Sequence, residues 1–411
     1  MAVMTQSYGR LLLAAILLAY HWAAPREARA EPPFREHQRT LDALERYRSL
    51  AQEDDGARLP ATVKPVEPGA SYAGVPRLVQ LLRRLGDLPP EATLPDDTSR
   101  YSGALVAAVR RFQSRHGIET DGRIGQATLA QLNTPLSTRV RQLELASERW
   151  RRVSYDLSRP AILLNIPEFR LRAFGPGQDP ELDMKIIAGR ARGYQTPLFS
   201  AELQSVIFRP YWNVPYSIQR RELVPQIQRD ASYLSKNDFE VVTRHGVVVE
   251  TGAVSDRILA QLRTGALLLR QRPGPRNALG LVKFMFPNGH DVYLHDTPAR
   301  SLFARARRDF SHGCMRAAKA GDLADWVLGQ DAGWSPERVR EAMNAVESSQ
   351  VKLKRPIQIV IVYVTAVVLE SGEVDFYNDI YGQDAALEKQ LADDLGQPSS
   401  TSAESAPRLH E

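Results

Sequence analysis

The hydrophobic period changes once along this chain, near Arg152, and that change limits the architecture more than any other feature. Before it, apolar residues recur three or four apart; after it, they alternate with polar ones. The first pattern buries a stripe along a helix and the second buries one face of a sheet. The sequence therefore predicts an α+β chain, with a small helical part ahead of a mostly β domain built as a sandwich or barrel.

In the helical part, Leu41, Leu44, Tyr47 and Leu50 mark a helix over 35–52. The Pro- and Gly-rich stretch "DDGARLPATVKPVEPGA" then reads as a linker, so 31–72 is an N-terminal helix and its connection. Leu78, Val79, Leu82 and Leu85 predict a second helix stopped by Gly86. Leu105, Val109 and Phe112 predict a third that ends at Gly117. An Asp121-Gly122 turn leads to a last helix carrying Leu129 and Leu132, and together these make a compact three-helix unit within 73–140.

Beyond Arg152, "AILLNIPEFRLRAF", "LDMKIIAG", "SVIFRPYWNVP", "LVKFMFPNGHDVYLH" and "PIQIVIVYVTAVV" are short β-branched or aromatic runs bounded by Gly, Pro and Asn, and they assign 141–384 to the β domain. A charged, partly helical insertion over 216–276 interrupts them, either as a lid beside a site or as a surface excursion. Residues 385–411 read as a peripheral helix followed by a disordered tail.

At the other end, Arg10 precedes an apolar run from Leu11 to Tyr20, and Ala28-Arg29-Ala30 before Glu31 has the small-x-small form of a signal-peptidase site. The run is short for a membrane span and Pro25 follows it, so residues 1–30 are expected to be a signal peptide cleaved after Ala30, leaving an exported protein without a stable membrane anchor. Cleavage removes three arginines and one glutamate and lowers the formal charge from +5 to +3. That charge is scattered, with no dense Lys/Arg block, so no nucleic-acid partner is expected, whereas an anionic wall polymer is compatible.

Cys314 is the single cysteine of 411 residues. It has no partner within its own chain, so it is a free thiol in an oxidising place. It sits in "HDTPARSLFARARRDFSHGCMR", downstream of a hairpin predicted from "LVKFMFPNGHDVYLH" with its turn at Pro287-Asn288-Gly289. Alternation puts Tyr293 and His295 on the face opposite Val292 and Leu294. A thiol near its ordinary pKa of about 8.5 is a weak nucleophile at neutral pH. An imidazole that takes its proton gives a thiolate and imidazolium pair able to attack an amide or ester carbonyl. Backbone N–H groups around Gly313 could meet the developing oxyanion. The base could come from His295 or His312. A metal cluster of His290, His295 and His312 with Cys314, Asp291 and Asp296 competes, although the spacing matches no compact zinc pattern. So does an inert, packed thiol.

Two resemblances narrow this. "AVRRFQSRHGIETDGRIGQATLAQLN" resembles peptidoglycan-binding domain 1, a wall-anchoring module. His295, fifteen residues, then Ser311-His312-Gly313-Cys314 and Arg316 resembles the signature of the L,D-transpeptidase catalytic domain, or YkuD domain. "RPYWNVP", "RQRPGPRNALGLVKFMFPN" and "YLHDTPARSLF" resemble the large periplasmic branch of that family, which carries the same module and a capping insertion. The resemblance implies a periplasmic YkuD-type β-sandwich or barrel. Cys314 is implied as nucleophile and His295 as base, its ring oriented by a backbone carbonyl. Ser311, His312, Gly313 and Asp296 are implied to shape or support the oxyanion loop. It implies peptidoglycan stem peptides and glycan as substrate, carbapenem-type inhibitors, other cell-wall enzymes as partners, and neither metal nor organic cofactor. Many members have Asn where this chain has Arg316, which leaves Arg316 to hold either a stem-peptide carboxylate or a structural acid. Tyr293, Trp212, Asn213 and Asn277 are candidates to line the peptide groove, or core residues.

The implied reaction is attack of Cys314 on the third residue of a tetrapeptide stem, release of D-alanine, and transfer of the acyl group to a neighbouring diaminopimelate amine as a 3-to-3 cross-link. Water or a lipoprotein lysine as acceptor, and a non-catalytic wall-binding scaffold, stay open at this level.

Overall fold

Every residue of "AILLN" is buried in the computed structural model, which describes residues 35–396 except 95–96, 154–155, 157, 177–178 and 331–332. The expected signal peptide and the tail beyond 396 lie outside the described residues. Ile162 and Leu164 face one core, while Ala161 and Leu163 face another. A strand covered on both sides has no polar face, which is why it reads as continuous rather than alternating.

The strands in chain order are β1 (Ala161–Asn165), β2 (Arg170–Phe174), β3 (Pro180–Gly189), β4 (Ser200–Phe208), β5 (Trp212–Asn213), β6 (Phe239–Val242), β7 (Val248–Glu250) and β8 (Leu268–Gln271). They continue as β9 (Val282–Met285), β10 (Leu294–His295), β11 (Asp309–Ser311), β12 (Met315–Ala317), β13 (Ser349–Val362), β14 (Ala366–Val368) and β15 (Val374–Phe376). Nine of them form one sheet in the order β11-β3-β12-β10-β9-β4-β13-β1-β2, and β2 pairs back with β3, so the sheet closes into a barrel. Leu171, Met184, Phe208, Phe284 and Ile359 fill its core, together with Leu323 and Val327 from the helix Ala320–Gly329.

Ahead of the barrel lie α1 (Arg35–Gln52), α2 (Val75–Arg84), α3 (Ala104–Arg115), α4 (Gln126–Leu132) and α5 (Leu136–Arg152). The middle three share their own core of Leu78, Leu82, Leu105, Val109, Phe112 and Leu132. A module boundary at 140 falls inside α5, so that expectation is corrected. Pro135 begins this helix, and Leu143, Ala146 and Trp150 pack with α1 and β14 on the outside of the barrel. The module is seated firmly on the same surface. Buried Arg115 pairs with Asp87 at 2.6 Å and donates to the Val374 carbonyl at 2.7 Å, and His116 stacks on Phe112 and Phe376. Gly117, at φ +61°, lets the Tyr377 ring come where a Cβ would meet it at 2.8 Å.

The insertion has more strand than expected. It holds a four-stranded sheet in the order β5-β8-β6-β7 beside helical turns at 216–229 and a helix at Asp256–Thr264, around Leu234, Val241, Leu262 and Leu269. Strands of three or four residues, such as "FEVV" with all four positions buried, are too short to reveal a period. Among the described residues no helix is long and apolar enough to cross a membrane.

Candidate active site

The hairpin forms where alternation placed it. Val282 and Phe284 on β9 are buried while Lys283 and Met285 turn the other way, and Leu294 pairs with Phe284 while His295 pairs with Lys283. Asn288 closes the connection: its amide donates to the Phe286 and Val292 carbonyls at 2.7 and 2.8 Å, and its oxygen accepts from His290 N–H at 3.0 Å. The other neighbour of β10 is β12, in parallel, with Leu294 opposite Met315 and His295 opposite Arg316. Leu294 and Met315 point into the barrel core. Alternation then puts Lys283, His295 and Arg316 in one row on the opposite face, with Tyr293 and Cys314 one step along the same face.

Cys314 follows a loop that two hydroxyls hold. Ser311 Oγ donates to the Cys314 carbonyl at 2.5 Å and accepts from Gly313 N–H at 3.1 Å. Buried Thr196 donates to the Gly313 carbonyl at 2.8 Å and accepts from Gly189 N–H at 2.9 Å. Gly313 has φ +115°, a conformation that side chains rarely adopt. Its N–H donates to Ser311 Oγ, which leaves the neighbouring Cys314 N–H as the open backbone donor of this loop. The Cys314 N–H has no partner among the described hydrogen bonds.

His295 is buried, and its Nδ1 meets the Asp296 carbonyl at 2.5 Å, which fixes the ring as expected. The Asp296 carboxylate serves elsewhere, pairing with Arg300 and accepting from Leu281 N–H at 2.9 Å. The ring and the sulfur share a face as diagonal neighbours, without a direct hydrogen bond between them. Burial pushes the Cys314 thiol above its ordinary value, against the pull of the Tyr293 backbone N–H and hydroxyl, Lys283 and Arg316. Burial likewise pushes His295 down to about 3, with Arg316 and Lys283 adding to the effect. Both shifts favour the uncharged forms, so burial works against the thiolate and imidazolium pair expected from sequence.

Tyr293 lies beside the sulfur, and burial raises its phenol. Trp212 is half-buried against the insertion's core and its indole approaches the Tyr293 hydroxyl, so it is both core and site wall. Asn213 is exposed on β5 opposite Arg270. Asn277 is not in the groove at all. It is fully buried and donates to the carbonyls of Pro210, Gln271 and Arg272, stapling the insertion to the barrel.

His312 faces away from the sulfur's partners. Its Nε2 lies 2.6 Å from Glu222 and 2.7 Å from Arg190, with the Tyr194 ring edge-on at 4.6 Å. Glu222 belongs to the insertion, so this contact seats the cap on the Cys314 loop. The metal alternative loses its geometry: His290 rests against Phe199, and among the described residues no group of three His, Cys, Asp or Glu is placed to hold an ion. Lys283, Thr196, Arg190 and Glu222 were not singled out from sequence. Only Lys283 carried a signal, since the hairpin register alone puts it opposite His295.

Two stretches of the chain match known families. Residues 159–359 match the model of the YkuD family, "L,D-transpeptidase catalytic domain", and residues 71–132 match "Putative peptidoglycan binding domain". A curated protein of Haemophilus influenzae, "Putative L,D-transpeptidase", is 30% identical over 226 residues, which is 55% of this chain and 45% of that protein, so the match spans under half of the relative's length. Solved L,D-transpeptidase structures from Stackebrandtia nassauensis (13% identity, 74% of this chain, 97% of that one, TM-score 0.27) and Xylanimonas cellulosilytica (15%, 74%, 100%, TM-score 0.23) are too distant in superposition to argue from. The chain thus carries a segment that matches the L,D-transpeptidase catalytic (YkuD) domain, with a segment that matches a putative peptidoglycan-binding domain ahead of it.

Proposed function

We propose that this protein is a periplasmic peptidoglycan L,D-transpeptidase that makes 3-to-3 cross-links through a thioester on Cys314. The observation that carries the reading is the shared face of the β9-β10-β12 segment, on which strand alternation puts Cys314, His295 and Tyr293, with the Tyr293 hydroxyl beside the sulfur.

With Nδ1–H held by the Asp296 carbonyl, a neutral His295 would take a proton at Nε2. As Cys314 attacks the carbonyl of the third stem residue, the S–C bond forms and the thiol proton passes to Nε2. The Cys314 N–H and the Tyr293 hydroxyl are the donors at hand for the oxyanion. Collapse breaks the C–N bond, and His295 returns the proton to the departing D-alanine amine. The thioester conserves the acyl group, so no nucleotide triphosphate is required. The amine of a second diaminopimelate then attacks, its proton is relayed by His295, and the thiol is regenerated with the new amide. The module over 71–132 would hold the glycan while the groove processes its stems.

Two measurements test this. Incubation with a carbapenem should add one covalent adduct to the wild type and none to Cys314→Ala. Purified enzyme on tetrapeptide-rich sacculi should yield 3-to-3 dimers. Shortened stems alone would turn the reading into a carboxypeptidase, and the absence of any adduct or product would leave only a wall-binding scaffold.

A further inference from the structure

Lys283, His295 and Arg316 stand opposite one another on three adjacent strands, β9, β10 and β12, and on one face. The outer two are cations, and neither has an acid. Among the described residues no carboxylate lies within ion-pair distance of Lys283 or Arg316, and Cys314 is the one group that favours their charged forms. The Lys283 ammonium rests 3.7 Å from the centre of the Tyr293 ring. Among the described residues the Arg316 side chain has no hydrogen-bond partner, and its Nε is buried. A guanidinium so placed is costly unless something arrives to pair with it.

Resting on the proposed function, we propose that Lys283 and Arg316 form a receptor for a free carboxylate of the acyl donor, and that this carboxylate is needed for acylation as well as for binding. The reason lies in the row itself. When His295 takes the thiol proton, three positive charges stand side by side on neighbouring strands, where like charges repel. A carboxylate placed between Lys283 and Arg316 offsets that charge, so the substrate brings the counter-ion that lets the base act. Next to the bond that breaks, a tetrapeptide stem ending in diaminopimelate and D-alanine offers two such groups: the terminal carboxylate of the leaving residue, and the one on the D-centre of diaminopimelate. The guanidinium is planar and forked, suited to a bidentate hold on either. Arg316 thereby acts on substrate, not on a structural acid.

The experiment uses full-length enzyme and three donors: the native tetrapeptide, its C-terminal amide, and the amide of the diaminopimelate D-centre carboxyl. Acyl-enzyme formation is followed by intact mass under single-turnover conditions. One of the two amides should acylate about 10- to 100-fold more slowly, the range for losing one charge-assisted hydrogen bond, and the slower one identifies the source of the carboxylate. The loss should appear in the saturating rate as well as in the half-saturating concentration, which a mere binding contact would not produce. In Arg316→Gln and Lys283→Gln, the ratio of acid to amide rates should shrink toward one. If all three donors acylate the wild type within about threefold, the receptor is refuted while the transpeptidase reading stands, and this arm needs no variant to fold. If the native tetrapeptide forms no acyl-enzyme, it is the proposed function that fails.

Discussion

The protonation state of Cys314 is open to direct measurement with a small neutral alkylating agent such as iodoacetamide. Only the thiolate reacts, so the rate reports its population. In the structure, burial holds the thiol above its ordinary value and holds His295 down to about 3. Between pH 5 and 8, therefore, neither group changes its dominant form. The thiolate is then the minor form at neutral pH, and it rises about tenfold per pH unit, so the rate should climb steeply from pH 7 to pH 9. A resting ion pair would behave in the opposite way, with a rate almost flat from about pH 5 to 8. His295→Gln sharpens the test. Because the imidazole carries no charge in the resting state, its replacement should leave the slope of the alkylation profile unchanged while abolishing acylation by stem peptides. A plateau below pH 8 in the wild type, removed in His295→Gln, would falsify the neutral-pair account and restore the thiolate and imidazolium pair.

Three further perturbations separate structural from catalytic roles. Gly313→Ala has room for its methyl, with Val292 no nearer than 3.6 Å, but the backbone at φ +115° should cost about 1–3 kcal/mol in denaturant unfolding and displace Cys314; unchanged stability and acylation would show the loop to be unstrained. Asp87→Ala strands buried Arg115 between module and barrel and should cost about 3–5 kcal/mol, with a transition that loses its single step if the module detaches first. Asn277→Ala orphans three carbonyls and should cost about 2–3 kcal/mol by urea melt, yet leave the half-saturating concentration of stem peptide alone in whatever fraction stays folded; a selective change in that concentration would return Asn277 to the groove.

Much of this architecture was written in the periods of the sequence. The stops at Gly86 and Gly117, the hairpin ending at His295 and the loop around Gly313 follow from local patterns that the fold keeps. What was hidden was mostly non-local. Nothing in "LSTRVRQLELASERWRR" says that its apolar face packs on a barrel rather than on the module beside it in sequence. Asn277 and Trp212 look alike from outside, as polar or aromatic residues near a turn, but three carbonyls consume the first and the second reaches Tyr293. Charge states are further still from legibility. A motif can list a thiol and an imidazole, but their titration depends on the burial that the rest of the barrel and the cap impose on them.

That burial also answers a problem raised by the chain's single cysteine. A thiolate is the form that oxidants attack, so an ionised, accessible sulfur is exposed to steady loss wherever oxidants reach it. A site that keeps the sulfur protonated at rest avoids this, but it then needs a way to ionise the sulfur when substrate is present. The row of Lys283, His295 and Arg316 supplies one half of such a device and lacks the other. Its two cations favour a thiolate and oppose an imidazolium, so in the empty site the proton gains little by moving from sulfur to ring. An anion seated between the cations changes the second effect much more than the first, because His295 lies directly between them in register while Cys314 is one step away. On the proposed mechanism, Cys314 is then most reactive when a carboxylate-bearing stem fills the groove. Chemical protection at rest and selectivity for acidic donors thus follow from one arrangement of three side chains.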